Sequence, residues 1–278
     1  MTLRGALEQG ARKLAGQRSP RLEAEILLAH VLSTPRSFFY ANPELELPDG
    51  RATAYRAALR RRARGEPIAY ITGQREFWSL TLNVTPAVLI PRPETELLVE
   101  CALAVLDGGV PARVADLGTG SGAVALAIAS ERSECEVHAT DVQAEAIEVA
   151  QHNARNLGLE RVRFHVGSWL EPLEGVFDVI VSNPPYVRAG DPHLDEGDCR
   201  FEPGIALTDG GDGLAAIREI VQQAPARLAP GGWLMLEHGH DQGDAVRQLF
   251  AGGAWSAVET RPDLAGLERV TMGQRPVG

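Results

Sequence analysis

The chain is predicted to be an α/β protein: a doubly wound, mostly parallel sheet with an antiparallel last strand, preceded by a small helical domain and a β-hairpin linker. Three observations predict it. Beyond Pro111, short apolar runs alternate with segments of helical periodicity, the pattern of strands joined by crossover helices. Two of those runs lead into turns that suit a ligand at a strand's carboxyl end: the glycine-rich stretch 118–122 and Asn183-Pro184-Pro185-Tyr186. Before Gly65, apolar residues recur at helical spacing and no strand pattern is present.

In chain order, Leu22, Ile26, Leu27, Ala29, His30 and Val31 typify the helical part, and Pro20, Pro35, Pro43 and Pro48 divide it into three to five short helices. From Glu76 to Ile90, the residues Phe77, Trp78, Leu80, Leu82 and Val84 partly alternate with polar ones. Turn candidates at Asn83 and Pro86 make this a β-hairpin bridging two domains. Pro91-Arg92-Pro93-Glu94-Thr95-Glu96 opens a helix to about Leu106, with Pro93 near its first turn and acids set favourably against its dipole. Strand 113–116, helix 122–131, strand 136–141, helix 143–157 and strands 161–166 and 176–182 follow. Helix 212–228, strand 232–237, helix 241–252 and strands 255–260 and 267–273 complete the pattern. The last two strands have no helix between them, so 267–273 is expected to insert antiparallel. The expected domains are 1–70 (helical, docking a substrate), 71–92 (hairpin linker) and 93–278 (sheet domain). Residues 187–213 form a long loop rich in Asp, Glu and Gly, which suggests substrate recognition.

A chain of 278 residues, 44% hydrophobic and 23% charged, can bury one large core or two modest ones. It has no apolar stretch long enough to span a bilayer and no signal-peptide core, so a cytoplasmic location without membrane attachment is expected. Cys101, Cys135 and Cys199 are odd in number and lack a C-x-x-C spacing. His238-Gly239-His240 has no companion cluster, so neither disulfides nor a metal is expected. Charge is unevenly spread. Residues 1–75 hold 13 Lys+Arg against 7 Asp+Glu, and the remainder holds 14 against 30. An acidic sheet domain is a poor platform for phosphate backbones, so no direct nucleic-acid partner is expected. The basic run Arg60-Arg61-Arg62-Ala63-Arg64 fits a solvated helix end or a binding patch.

The chemistry is carried by the strand ends. In Asp116-Leu117-Gly118-Thr119-Gly120-Ser121-Gly122, the glycines let backbone approach a ligand closely; the spacing is G-x-G-x-G and not the dinucleotide G-x-G-x-x-G. Asp116 suits a cofactor with a cationic amino-acid end better than a pyrophosphate. Asp141 closes the next strand, where a carboxylate can hold both ribose hydroxyls or cap the following helix. Together these point to S-adenosylmethionine. The side-chain oxygen of Asn183 and the backbone carbonyl of Pro184 can accept both hydrogens of a planar NH2 group, with Pro185 fixing the turn and the Tyr186 ring covering the flat face. That geometry suits methylation of an amide or amino nitrogen.

Several stretches resemble the HemK/PrmC family of protein-(glutamine-N5) methyltransferases. They are Gly65-Glu66-Pro67-Ile68-Ala69-Tyr70, Arg75-Glu76-Phe77-Trp78, Leu89-Ile90-Pro91-Arg92-Pro93-Glu94-Thr95-Glu96, the loop 116–122, Val181-Ser182-Asn183-Pro184-Pro185-Tyr186, Arg200-Phe201-Glu202-Pro203 and Leu236-Glu237-His238-Gly239. The resemblance covers about Gly65 to Met272. It implies a Rossmann-like class I S-adenosylmethionine-dependent methyltransferase that modifies the Gly-Gly-Gln glutamine of class I peptide-chain release factors. It implies catalysis by Asn183, Pro184 and Tyr186, with Pro185 also at the substrate. Cofactor binding falls to Gly118, Thr119, Gly120, Ser121, Gly122, Asp141, Trp169 and Asn183. Where the family usually has an acid before the aromatic, this chain has Ser168-Trp169, a weaker partner for an adenine amino group. The competing enzyme class is a nucleic-acid amino methyltransferase (adenine N6 or guanine N2), since the tetrad serves a flipped base equally well. A cofactor-binding module without catalysis is the third, opposed by the intact Asn183.

Overall fold

A computed structural model describes residues 1–277. The chain divides into two compact units, Met1–Gln74 and the part from Arg75 onward. In the first, helices α1 (Leu3–Lys13), α2 (Pro20–Leu32), α3 (Ser37–Ala41), α4 (Asp49–Ala63) and α5 (Ile68–Thr72) surround a core containing Leu7, Leu14, Leu27, Leu28, Phe39 and Leu59. The Thr2 side chain caps α1 by accepting from Gly5 N at 3.2 Å. Gly10 lets α1 approach α4, because a Cβ there would fall 2.1 Å from the Tyr55 hydroxyl oxygen. In the basic run at the end of α4, Arg62 pairs with the buried Glu23 at 2.8 Å and Arg61 pairs with Glu66. Two of its four guanidiniums are therefore held by acids of their own unit.

The second unit begins with strands β1 (Gln74–Phe77) and β2 (Leu80–Asn83), which form a two-stranded hairpin. Its turn is not at Asn83 or Pro86. It is the pair Trp78-Ser79, with φ of 51° and 59°, the doubly left-handed backbone of a two-residue hairpin. Pro86 occupies a separate turn downstream. Expected as a linker, the hairpin packs into the larger unit, with Phe77 and Leu82 in its core and Trp78 N bonded to Glu96 Oε1 at 2.9 Å.

The remaining elements are α6 (Glu96–Val105), β3 (Arg113–Leu117), α7 (Ala123–Glu131), β4 (Glu136–Asp141), α8 (Ala144–Leu157), β5 (Arg163–Val166), β6 (Phe177–Ser182), α9 (Gly204–Leu207), α10 (Ala215–Gln223), β7 (Leu228–Glu237), α11 (Gly243–Leu249), β8 (Ser256–Pro262) and β9 (Glu268–Gln274). The sheet order is β5-β4-β3-β6-β7-β9-β8. β9 lies antiparallel between β7 and β8, as the missing helix between the last two strands predicts. Alternate side chains serve opposite faces. Val114, Val179, Val181 and Met235 pack under α6 and α7, while Ala115, Leu117, Ile180, Leu234 and Leu236 pack under α10 and α11. Both faces are thus covered, which explains the continuous apolar run of β6.

The helix expected over 212–228 is shorter. α10 stops at Gln223, and Pro225 lies in a 3-10 turn that returns the chain to a strand starting at Leu228. The acidic loop contains two 3-10 turns and the one-turn α9. The strand order reverses between β4-β3 and β3-β6, so the loops after β3, β4 and β6 converge at the carboxyl edge.

Candidate active site

The glycine loop leaves β3 in left-handed steps, with φ of 71°, 55° and 84° at Gly118, Gly120 and Gly122. At Gly118 a Cβ would come 3.3 Å from the Trp169 ring. At Gly122 it would press Leu126 and Ala150 at 3.0 and 3.2 Å. Below the loop, Asp116 Oδ2 accepts from Thr119 Oγ1 at 2.6 Å and from Ala125 N at 3.1 Å. Burial pushes the Asp116 carboxyl up to about 6, against the pull of those two bonds. Asn153 on α8 donates to Ser121 O at 2.9 Å and to Asn83 O at 3.0 Å, fastening the loop to the end of the hairpin.

Asp141 ends β4. Its Oδ2 accepts from Gly120 N and its Oδ1 from Gln143 N, both at 2.9 Å, so one carboxylate joins the glycine loop to the start of α8. Burial raises its pKa, and the backbone donors lower it. Trp169 follows β5 with φ of 44°, strained for an aromatic residue. Its indole Nε1 donates to Glu219 Oε2 at 3.1 Å, which fixes the ring over Gly118.

These residues share one cavity. Gly118 and Gly120, Asp141 with Val142 and Gln143, Ser168 with Trp169, and Asn183 with Pro185 form most of its wall. Pro203, Ile205 and Ala206, in the second half of the acidic loop, close another side. Val142 and Ile205 are about half exposed, 55% and 50%, and both border this cavity. Apolar side chains left open there make a surface for a flat apolar group. Asp116, Thr119, Ser121 and Asn183 border a smaller adjoining cavity.

At the end of β6, Asn183 Nδ2 donates to Thr95 Oγ1 at 3.1 Å. The amide is thereby oriented with Oδ1 as its unengaged acceptor. Pro184 is buried. Tyr186 does not border the main cavity. Its ring packs against the core under α10 and α11, and its hydroxyl donates to Glu237 Oε1 at 3.1 Å. It borders a separate cavity with Arg188, His193, Gln242 and Arg269. Burial raises the Tyr186 phenol far above its ordinary range.

Sequence reasoning placed the strand-end residues at this edge but missed those that orient them. Thr95 served only as part of a helix start and a matching stretch, and Glu237 only as part of a matching stretch. The signal for Glu237 was available, because it closes β7 with an acid as Asp141 closes β4. Arg92 pairs with the buried Glu202, whose Oε1 also accepts from Ile90 N at 3.0 Å, so the segment before α6 anchors the acidic loop. His238 is a core histidine, with Nε2 2.8 Å from Thr271 Oγ1 and Nδ1 2.8 Å from Gly239 O.

The PrmC N-terminal domain family matches residues 5–73, and the methyltransferase small domain family matches residues 93–196. A release factor glutamine methyltransferase of Xylella fastidiosa (strain Temecula1) is 51% identical over 263 residues, covering 94% of this chain and 96% of its own length. Among solved structures, a methyltransferase from Pyrococcus furiosus shares the fold with a TM-score of 0.55 at 22% identity, over 71% of this chain and 89% of that one. So does the Thermus thermophilus 16S rRNA N2 G1207 methyltransferase solved with AdoMet and guanosine, with a TM-score of 0.53 at 21% identity, over 73% and 49% of the two chains. Identity of one half over nearly the whole length, together with the Asn183 tetrad and glycine loop at adjacent strand ends, means that the chain belongs to the release factor glutamine methyltransferase family.

Proposed function

We propose that the protein transfers a methyl group from S-adenosylmethionine to the side-chain nitrogen of the glutamine in the Gly-Gly-Gln motif of class I release factors. The observation that carries this is the orientation of Asn183. Its Nδ2 is held by Thr95, which leaves Oδ1 as an acceptor beside the cavity. The cavity's residues fit the cofactor. Val142, Ile205 and Trp169 offer apolar surface to a purine, Asp141 can accept from ribose hydroxyls, and Asp116 supplies negative charge near the second cavity. Bound there, S-adenosylmethionine supplies an electrophilic methyl group on a sulfonium.

The chain's own residues do the rest. An amide nitrogen is a poor nucleophile because its lone pair is delocalised into the carbonyl. Asn183 Oδ1 and the Pro184 carbonyl accept its two hydrogens, aim the nitrogen and stabilise positive charge as it develops. No strong base is needed before transfer, since the proton leaves afterwards. The Tyr186 phenol, tied to Glu237, holds the turn that carries both acceptors. The acidic loop and the helical unit are assigned to docking the release factor, a role that belongs in the cytoplasm. Metal and direct nucleic-acid contacts have no part in it.

The test offers labelled S-adenosylmethionine with release factor or with RNA, then maps the modified residue. Label on the Gly-Gly-Gln glutamine is expected, and label on RNA bases would replace this function with nucleic-acid methylation. The same assay on a chain lacking residues 1–65 is expected to run far more slowly, and an unchanged rate removes the docking role of the helices.

A further inference from the structure

Glu237 is a buried acid that the transfer chemistry does not itself require. It closes β7, whose register sets Leu236 beside Ser182, so it lies next to the turn that begins at Asn183. It is 1% exposed. Its Oε1 accepts from the Tyr186 hydroxyl, and its Oε2 has no hydrogen-bond partner. Burial pushes its carboxyl up to about 7, and the neighbouring Thr95 and Tyr186 hydroxyls pull it down. The charged groups facing it are Arg269 of β9, already paired with Asp263 at 3.3 Å, and Glu94 in the turn before α6.

Thr95 neighbours both this acid and the reacting edge. Its oxygen accepts from Asn183 Nδ2, and it is 4% exposed, so water is a poor partner for its own proton. No hydrogen bond joins the two in the structure, but the Thr95 hydroxyl has one proton to direct and Glu237, with Oε2 unpartnered, is the carboxylate beside it. An ionised carboxylate can take the Tyr186 proton on Oε1 and the Thr95 proton on the unpartnered Oε2, leaving the Thr95 lone pairs to the Asn183 amide. A protonated carboxyl would donate to the Thr95 oxygen instead, competing with the Asn183 amide for its lone pairs and leaving the Thr95 proton without its anion.

We propose that Glu237, as an anion, is a positioning residue. Through Thr95 it fixes the Asn183 amide with Oδ1 turned to the substrate, and through Tyr186 it fixes the turn that presents it. The proposal rests on methyl transfer to an amide held by Asn183. It makes turnover depend on a group that never meets the substrate.

The experiment uses the full-length protein labelled at glutamate carboxyl carbons and asparagine side-chain nitrogens. Spectra are followed from about pH 5 to 9, across the range in which a raised carboxyl titrates. One carboxyl should titrate near neutrality and be missing in Glu237→Gln. The Asn183 NH2 signals, identified by their loss in Asn183→Ala, should shift with the same midpoint in the wild type and in Thr95→Ser, and should stay still in Thr95→Val. In parallel, wild-type kcat should fall about tenfold per pH unit below that midpoint. Glu237→Gln should lower kcat at least about tenfold and abolish that limb, with KM and cofactor affinity changed less than about threefold. Calorimetric cofactor binding and the Thr95→Ser variant guard against misfolding. Asn183 signals that ignore the Glu237 titration, or a Glu237→Gln enzyme with the wild-type pH limb, overturn the proposal. A wild type that shows the linked titration yet leaves release factor unmethylated overturns the proposed function alone.

Discussion

At the scale of single residues, the proposed mechanism gives Asn183 to chemistry and Asp141 to cofactor binding. Asn183 offers one oriented oxygen, so Asn183→Ala should cost about 10²–10³ in kcat, the usual loss for one preorganised transition-state partner. Its cofactor dissociation constant should stay within a few-fold, and near-normal turnover would sink the assigned mechanism. Asp141 grips backbone on both sides, at Gly120 and Gln143, and has further lone pairs for the ribose hydroxyls proposed to meet it. Asp141→Ala should therefore weaken cofactor binding by about 1.5–3 kcal/mol, or roughly ten- to hundredfold. Calorimetric titration measures it, and an unchanged constant would reduce Asp141 to a cap. Both residues were legible because strand-end acids and proline turns announce themselves. Thr95 and Glu237 were not, since their importance lies in a contact between segments far apart in sequence.

At the scale of elements, the sheet was readable from alternation, including the antiparallel insertion of β9. The hairpin existed where expected, but its turn did not. Trp78-Ser79 lacks the Gly or Asn that normally marks two left-handed residues, so Asn83 and Pro86 attracted the assignment. The end of α10 was misjudged because helical periodicity continued past Pro225, which cannot donate to the helix. The acidic loop showed no periodicity, and its matching stretch Arg200-Phe201-Glu202-Pro203 named no partner, yet it is anchored by Arg92 on Glu202, an acid whose side chain is 0% exposed. Removing Arg92 leaves that carboxylate unpaired. Because the Arg92 side chain is itself 29% exposed, the loss should fall below the fully buried range, at roughly 2–3 kcal/mol. Arg92→Ala should lower the Tm and raise KM for release factor, and Glu202→Gln in that background should restore part of both. A Tm that does not move in Arg92→Ala would show that the loop is held elsewhere.

For the whole molecule, two buried carboxyls give stability a direction in pH. Asp116 rises from 3.8 to about 6 and Glu237 from 4.5 to about 7, both through burial. The folded chain therefore holds protons that the unfolded chain has released. This contribution is fully present below about pH 4 and is lost as pH climbs through 6 and 7. A neutral isostere removes the loss. Glu237→Gln should be more stable than the wild type at pH 8, by up to about 3 kcal/mol, and nearly equal to it at pH 5. Thermal unfolding at the two pH values checks this, and a constant difference would mean that Glu237 does not titrate on folding. The same substitution is expected to slow the enzyme, so the buried charge is kept at a cost to the fold.

The placement of Trp169 gives the protein a built-in optical probe. Of the four tryptophans, it alone borders the main cavity; Trp78 closes the hairpin, Trp233 borders a different cavity and Trp255 packs on Phe250. A purine stacked against its indole would quench its emission or shift its colour, while the other three report only the fold. Intrinsic fluorescence should thus change saturably as S-adenosylmethionine is added, with no label attached. Trp169→Phe should lose most of that change and keep an aromatic wall. An undiminished response in Trp169→Phe would put the purine somewhere other than against this ring.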